Sequence, residues 1–277
     1  MKENTFYVMA TGTSVNDITD EEWKFLEDKN TVALGAFALS GKKTKYNYSH
    51  EGIILDELVL RAMKKNGYLD TVVFLHWIKS IRYASNLGFK NIIPVMKGTA
   101  LIKPGLGWFM DEEYPTIKLI NCLARNFTEP MFRFRGSLSA AINVALILGA
   151  QEIRLVGVDL DCMNDFFFDI DRWAKDDEDR ELIQMKLDKH YSSITQKIES
   201  RPYMYDGFNP ETMHTTAIPY KDKSRWGDRQ LRGMLDVIWC MDKELKEVGH
   251  RGIYVTSKKS ELYKQNKVEY KSIMEDD

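Results

Sequence analysis

Short apolar runs alternate along the chain with longer stretches in which apolar residues recur every three or four positions. The short runs predict β-strands, and the longer stretches predict amphipathic helices. The predicted strands are Thr5–Ala10, Thr31–Leu39, Thr71–Leu75, Asn91–Met96, Glu152–Val158 and Gly252–Thr256. The predicted helices begin at Asp20 or span Leu55–Asn66, Trp77–Leu87, Ser137–Leu148 and Leu231–Val248. Strands that alternate with helices are typical of a parallel sheet covered by helices.

Residues at the ends of the predicted helices support these boundaries. Thr19 or Asp20 is suited to cap the first helix, because a short polar side chain can accept a hydrogen bond from a free backbone N–H. Glycines that favour a helix end follow the others, at Gly67, Gly88, Gly149 and Gly249. The segment Gly98–Tyr114 predicts a loop, and Thr116–Cys122 fits either a strand or the start of a helix.

The alternation breaks between about residues 161 and 210, where aromatic and charged residues are concentrated. We interpret this stretch as a helical insertion that resembles a lid; the alternative is a solvated pair of surface helices with no role. The whole pattern predicts one α/β domain over residues 1–277. Its core would be a Rossmann-like, mostly parallel sheet flanked by helices.

Composition narrows the class of protein. Apolar residues make up 44% and charged residues 29% of the 277 residues, which is ordinary for a soluble globular protein. The net charge of −2 gives no overall basic excess, so we expect no nucleic-acid partner. The sequence shows neither a signal peptide nor a long apolar segment, which predicts a cytoplasmic protein whose membrane contact would be peripheral, at the inner face. Three separated cysteines argue against a disulfide scaffold or a zinc site.

The first candidate for binding chemistry is the small-residue turn Thr11–Ser14, directly after the first strand. Backbone N–H groups at the carboxyl end of a parallel strand can hold a phosphate, and the hydroxyls of Thr11, Thr13 and Ser14 add donors. Gly12 lets an anion approach closely. The turn lacks the further glycines of a dinucleotide-binding fingerprint, and the chain has no Walker loop.

The second candidate runs from Arg135, Gly136 and Ser137 at a helix start to the carboxylates that follow the next strand. That strand delivers Asp159 and Asp161 to the sheet edge at which ligands bind in open α/β folds. A carboxylate there can bind sugar hydroxyls or act as a base or a nucleophile; the alternative for Asp159 is a cap of the following turn.

Two further segments carry candidate residues. His214 lies in a polar loop before the last predicted helix, where it suits a general base or a phosphate donor, although a plain surface histidine is the alternative. His76, at the end of a predicted strand, is its rival. The turn after the last predicted strand holds Ser257, Lys258 and Ser260, which could bind a phosphate or a base, or form only a basic surface turn.

These elements, in this order, resemble those of the bacterial glycosyltransferases that use CMP-linked sugars, which include the family 42 sialyltransferases and the Kdo transferases of capsule and lipopolysaccharide synthesis. The most specific match is a helix of the pattern S-x-x-x-A-x-x-x-A-x-x-L-G followed by E-I-x-L-x-G-x-D, here Ser137–Gly149 and Glu152–Asp159. The turn at Gly12, His214 and the segment Tyr254–Leu262 match in order. The sialyltransferase branch carries an Asn-Gln pair where this chain has Gly-Ala-Phe, which favours the Kdo branch.

The resemblance implies a CMP-linked 2-keto sugar acid as donor, Kdo or sialic acid, and a glycan as acceptor. Thr11–Ser14 and Ser137 would hold the phosphate, and Ser257–Ser260 would help with the phosphate or the cytidine. Arg135 or Lys258 would neutralise the donor carboxylate or the departing CMP. No cofactor and no metal are expected, although Asp159 and Asp161 have the Asp-x-Asp spelling.

Two mechanisms and two other functions stay open. His214 could deprotonate the acceptor for direct attack, or Asp159 could attack first and form a covalent glycosyl-enzyme. The competing functions are an ATP-dependent enzyme similar to pterin pyrophosphokinases and a non-catalytic subunit that binds a nucleotide or a glycan. Neither the acceptor nor the oligomeric state follows from the residues.

Overall fold

The computed structural model describes residues 4–49, 52–96, 118–134, 136–200, 209, 211–212, 214–217, 219–221 and 230–275. Its strands are β1 (Thr5–Met9), β2 (Asn30–Leu34), β3 (Tyr46–Ser49), β4 (Val72–Leu75), β5 (Ile92–Pro94), β6 (Glu152–Val156), β7 (Tyr220–Lys221), β8 (Gln230–Leu231), β9 (Gly252–Val255) and β10 (Glu269–Tyr270). Its helices are α1 (Asp20–Leu26), α2 (Ile53–Lys65), α3 (Ile78–Leu87), α4 (Leu138–Ile147), α5 (Ile170–Trp173), α6 (Asp177–Ser200), α7 (Met234–Glu247) and α8 (Glu261–Lys264).

Eight of the described strands form one sheet, in the order β10-β9-β6-β1-β2-β3-β4-β5. Every neighbouring pair in this sheet is parallel. From β1 the chain adds strands on one side as far as β5, then crosses back to place β6 on the other side of β1. The fold is therefore a Rossmann-like α/β fold, as predicted, with a fully parallel main sheet. The two short strands β7 and β8 pair antiparallel outside it.

Both faces of the sheet are buried, which explains why its strands are nearly continuous apolar runs. In β1, Phe6 and Val8 point to a core shared with α4 and α7, whereas Tyr7 and Met9 point to a core shared with α1 and the insertion. Each of these four side chains is at most 2% exposed. At about 1.5–3 kcal/mol for a fully buried large apolar side chain, such strands supply much of the stability of the sheet.

Local signals at the helix ends are confirmed. Thr19 caps α1 through a reciprocal pair of bonds: Glu22 N donates to Thr19 Oγ1 at 3.2 Å, and Thr19 N donates to Glu22 Oε2 at 2.9 Å. Gly88 ends α3 with a φ of 95°, a left-handed conformation that a glycine adopts without strain. The described part of the expected insertion contains the helices α5 and α6, which are joined and preceded by non-helical segments.

The structure departs from the predicted strands in three places. The second half of the predicted strand Thr31–Leu39 is a 3-10 helix, Gly35–Ser40, which buries the same apolar residues by turning the chain. Strand β3 was not predicted, because Tyr46–Ser49 lacks a continuous apolar run. The strand at Gly252 is not the last, since β10 follows it.

Two other segments are settled only in part. Leu119–Cys122 is a 3-10 helix, whereas the predicted loop Gly98–Tyr114 lies outside the described residues, as do Thr116 and Ile117. None of the helices in the described part of the chain combines the length and the apolar character that a membrane span requires.

Candidate functional site

The candidate site lies where the order of the strands reverses. β1 and β6 are adjacent, with Met9 paired to Val156, and the chain continues from them to opposite sides of the sheet. In open α/β sheets such a switch point leaves a crevice at the carboxyl ends of the two strands, and ligands bind there. The segments that leave β1 and β6 are the ones that carry Gly12 and Asp159.

The turn after β1 is packed tightly against the end of β6. Ala10 N donates to Val156 O and Gly12 N donates to Gly157 O, both at 2.8 Å. A Cβ atom at position 12 would lie 2.5 Å from Asp159 Oδ2 and 2.7 Å from Gly157 O, closer than real Cβ atoms approach other atoms. Position 12 is therefore restricted to glycine by lack of space, since its φ of −64° suits any residue.

The side chain of Asp159 holds this turn in place through hydrogen bonds. Its side chain is buried, and Oδ1 accepts a hydrogen bond from Ser14 Oγ at 2.6 Å. Oδ2 accepts from Ser14 N at 2.7 Å and from Thr13 Oγ1 at 3.4 Å. Burial raises the pKa of Asp159 above its usual value, against the lowering effect of the bonds from Ser14. One carboxylate thus fixes the geometry of the turn.

These bonds correct one expectation. The amide N–H groups of Gly12 and Ser14 do not face a cleft, because both donate to groups of the β6 strand end. Any phosphate held by this turn must therefore be held by its hydroxyls or by its other amide groups. Thr11 Oγ1 already donates to Asp165 Oδ1 at 2.5 Å.

The chain around Asp159 is strained at the next residue and is held by the start of α8. Leu160 has a φ of 60°, which is unfavourable for a residue with a branched side chain and often marks a functional segment. Ser260 Oγ donates to Val158 O at 2.6 Å, and Glu261 N donates to Asp159 O at 2.8 Å. The start of α8 therefore fixes the position of the segment that follows β6.

A cavity of about 180 Å³ opens at this point, and we call it the switch-point cavity. It brings together predicted residues from four separate segments, namely Thr11, Gly12, Gly136, Ser137, Asp159 and His214. Its volume is below the ~300–1,000 Å³ of typical sites for whole ligands. The space that the described residues enclose suits one end of a larger ligand.

The N-terminus of α4 forms one wall of the switch-point cavity. Ser137 precedes the first turn of this ten-residue helix, but its side chain makes no capping hydrogen bond to the helix. The first backbone N–H groups of an α-helix have no partner within the helix and carry a partial positive charge. Gly136 and Ser137 therefore line the part of the cavity best suited to an anion.

The loop that carries His214 is held by the start of α7 and lies beside Gly136, since a Cβ atom at position 136 would lie 3.8 Å from Thr216 Cγ2. Met234 N donates to Thr216 O at 2.7 Å, which fixes the loop that carries the histidine. Thr216 N donates to His214 Nδ1 at 3.2 Å, and Thr216 Oγ1 lies 2.8 Å from the same nitrogen. Because a backbone N–H can only donate, Nδ1 accepts, and the neutral ring carries its proton on Nε2. His214 is thus arranged to donate a hydrogen bond from Nε2.

The segment after β6 adds two further carboxylates to the site, of which Asp161 was predicted at this edge of the sheet and Asp165 was not. Asp161 and Asp165 both line the switch-point cavity. Asp161 Oδ1 is buried and has no hydrogen-bond partner among the described residues. Gly12 and Asp165 form an antiparallel bridge, so the insertion begins by pairing with the turn after β1. The Asp-x-Asp spelling was the one sequence signal for Asp161; Asp165 had none, being one acid among many in a charged stretch.

Two other histidines do not line the cavity. His190 lies behind one of its acids: its side chain is only 15% exposed, and Nδ1 lies 3.7 Å from Asp165 Oδ2. His76 lies beside β3, with Nε2 at 2.7 Å from the hydroxyl of Tyr48. His76 does not line the switch-point cavity.

The predicted phosphate-binding turn after β9 does not line this cavity either. Ser260 is fully buried and caps α8 by accepting from Leu262 N at 3.3 Å. Ser257 Oγ accepts from Lys259 N, and the Lys258 ammonium lies 5.0 Å from the ring of Tyr270. Arg135 lies outside the described residues.

Within the described ranges, no group of three or more His, Cys, Asp or Glu side chains is arranged to hold a metal ion. Comparison with known proteins finds no matching protein-family model, no matching curated protein and no matching solved structure. The geometry of the site is therefore the basis on which a function can be proposed.

Proposed function

We propose that this chain is a glycosyltransferase that moves a 2-keto sugar acid, Kdo or sialic acid, from a CMP-linked donor to a glycan acceptor. The observation that carries the proposal is the meeting of four segments at one switch-point cavity: the Gly12 turn, the start of α4, the end of β6 and the His214 loop. The same segments carry the sequence resemblance to transferases that use CMP-linked sugars.

The donor's single phosphate has one favourable position in this cavity, beside Gly136 and Ser137. There the partial positive charge at the α4 N-terminus and the Ser137 hydroxyl favour an anion. The carboxylates of Asp159, Asp161 and Asp165 lie at the end of β6 and in the segment that follows it, where they would repel a phosphate and suit sugar hydroxyls instead. We expect the donor to lie with its phosphate and the carboxylate of its sugar acid toward α4, and with the sugar hydroxyls toward the acids, which would repel both of its negative groups.

The hydrogen bonds favour a distinct role for each acid and base. Both oxygens of Asp159 are engaged by the Gly12 turn, so we assign Asp159 to positioning rather than to attack. Asp161 has an oxygen without a partner in the described part of the chain, so it would accept the proton of the acceptor hydroxyl. His214 would donate from Nε2 to the phosphate as the bond from the sugar carbon to the phosphate oxygen breaks.

Nucleotide preference tests the class of enzyme. Thermal unfolding of the full chain is measured with CMP, CTP, GDP and ATP–Mg²⁺. Stabilisation by CMP supports the proposal, because a ligand that binds only the folded state raises the melting temperature. A shift with ATP–Mg²⁺ and none with CMP would favour the pyrophosphokinase-like alternative. Binding of CMP without donor hydrolysis or transfer would favour a non-catalytic subunit.

Three variants test the assigned roles. We expect His214→Asn and Asp161→Asn each to lower transfer at least about 100-fold, the lower end of what a general acid or base contributes. His76→Asn is the matched histidine control and should retain activity. If His76→Asn abolishes transfer while His214→Asn does not, the site is misassigned. A covalent sugar adduct on Asp159, detected by intact mass in the Asp161→Asn variant, would contradict the positioning role of Asp159.

A further inference from the structure

A second, larger cavity of about 460 Å³ lies under α1, on the face of the sheet to which Met9 points. We call it the α1 cavity; it is enclosed by α1, the 3-10 helix Gly35–Ser40, the chain from Gly41 to Thr44, and Tyr68. Its volume falls within the ~300–1,000 Å³ typical of small-molecule sites. It shares no lining residue with the switch-point cavity, so the proposed transfer reaction does not account for it.

Aromatic rings form the walls of the α1 cavity. The rings of Trp23 and Phe37 lie 6.2 Å apart at an interplanar angle of 44°, and both side chains are at most 9% exposed. Tyr68 is held in place because its hydroxyl donates to Gly41 O at 2.6 Å. Met9 and Leu26 complete the apolar lining. Phe37 supports Trp23 from the core, and Trp23 and Tyr68 favour a planar apolar group, which packs against ring faces and edges.

The charges at the rim are not equivalent. The Lys42 ammonium lies 4.9 Å from the Trp23 ring centroid and has no carboxylate partner in the described part of the chain. Lys43, in contrast, pairs with Asp70 at 2.7 Å. Glu27 also lines the cavity, and the pKa of Tyr68 is raised by burial and, after it, by the Glu27 carboxylate. Lys42 is therefore the cation available to a bound anion.

From this arrangement we infer that the α1 cavity binds a small planar aromatic molecule that carries a carboxylate. The ring would pack against Trp23 and Tyr68, and the carboxylate would pair with Lys42 at the rim. The lining contains no nucleophile set against a base, so the inference is of binding alone. The ligand would regulate the protein or be carried by it, and it would be distinct from the proposed sugar donor.

The test is isothermal titration calorimetry of the full chain with indole-3-acetate and with its neutral counterpart, indole-3-acetamide. We expect one molecule of the acetate to bind, and the acetamide to bind about tenfold more weakly, which is the effect of one charge-assisted contact. Lys42→Gln should weaken binding of the acetate about tenfold. Lys29→Gln is the matched control, because its ammonium lies 4.0 Å from the ring of Phe25 and it does not line the cavity.

Further measurements place the ligand in this cavity. Leu26→Phe should abolish binding by filling the space, and its melting temperature shows whether this variant folds. If Leu26→Phe fails to fold, the rim variant Lys42→Gln still tests the inference. Saturating CMP should leave binding of the acetate unchanged, which separates this inference from the proposed transferase. Equal affinity for acetate and acetamide, equal loss in both lysine variants, or no binding at millimolar ligand would overturn it.

Discussion

The two ends of β6 each bury an acid, and they neutralise it in opposite ways. At the start of the strand, Glu152 is 1% exposed and is surrounded by cations. Beyond its end, Asp159 is 3% exposed and accepts hydrogen bonds only from neutral groups in the described part of the chain. The same strand thus carries one carboxylate suited to stability and one suited to a site.

At the start of β6, the charges form a closed network. Arg154 Nε donates to Glu152 Oε1 at 2.8 Å, and Lys271 Nζ donates to Glu152 Oε2 at 2.8 Å. Arg154 Nη1 also donates to the carbonyl oxygens of Ser272 and Ile273, at 2.9 and 3.2 Å. The network therefore ties the C-terminal segment to the sheet. A buried charge is tolerated when it is paired and its other polar atoms are bonded, as here.

The end of β6 lacks such compensation, and the pKa of Asp159 is raised in consequence. Acids with raised pKa values in a cavity at the edge of a sheet are typical of functional sites, although buried structural acids show the same shift. The difference between the two ends teaches that burial alone does not identify a functional carboxylate. The kind of partner, cation or neutral donor, separates the two cases.

The largest expected effect comes from breaking the network at the start of β6. Arg154→Met leaves Glu152 short of a partner and removes the bonds to the C-terminal segment. We expect the free energy of unfolding to fall by about 3–5 kcal/mol, as for other buried pairs that lose one member. Urea unfolding measures it. Lys43→Ala, which breaks an exposed pair, is the control and should cost at most about 1 kcal/mol; equal losses would remove the distinction.

At the carboxyl end of β6, Gly12→Ala should cause a smaller loss of stability but a large loss of CMP binding. In Gly12→Ala the new methyl would meet Asp159 Oδ2 and Gly157 O, so the turn must shift. We expect a loss of about 1–3 kcal/mol, the usual cost of overpacking. If the switch-point cavity binds the donor, the thermal shift with CMP should also disappear. A variant with normal stability and normal CMP binding would show that the tight contact has no role.

Ser14→Ala probes the neutral donors of Asp159 directly. It removes the hydroxyl that donates to Oδ1, leaving part of a buried carboxylate without a partner. We expect a loss of about 1–2 kcal/mol and a further rise in the pKa of Asp159, since this bond lowers it. Ser257→Ala, outside the cavity, should lie within about 0.5 kcal/mol of the parent. Matching losses in the two serine variants would count against the account.

The smallest effect is a pH dependence. Because the pKa of Asp159 is raised in the folded state, the folded protein holds this proton over a range in which the unfolded chain has lost it. The stability that Asp159 contributes should therefore fall as pH rises above 3.8, its ordinary pKa, and level off above its folded pKa. Comparing urea unfolding of the parent and of Asp159→Asn across this range measures it. A parent that gains stability over the variant with rising pH would show a lowered pKa instead.

Local patterns in the sequence determined much of this protein. The apolar runs predicted β1, β4, β6 and β9, since a strand buried on both faces is mostly apolar. Helical spacing with Thr19 and Gly88 at the ends predicted α1 and α3, because caps act within a few residues. The residues that follow β1 and β6 could be proposed as a site because parallel strands deliver their carboxyl ends to the same edge.

Tertiary structure decided the rest, for reasons of distance along the chain. Tyr46–Ser49 is a strand because β2 and β4 lie on either side of it and supply backbone hydrogen bonds. Its own apolar pattern does not predict a strand. Gly35–Ser40 had the apolar content of a strand, but it is a 3-10 helix that packs against α2. Which carboxylates meet cations, hydroxyls or open space depends on residues that are more than 100 positions apart, as in Arg154 with Ser272 and Asp159 with Ser14. No local pattern records such pairings, and they are what separates a structural acid from a functional one.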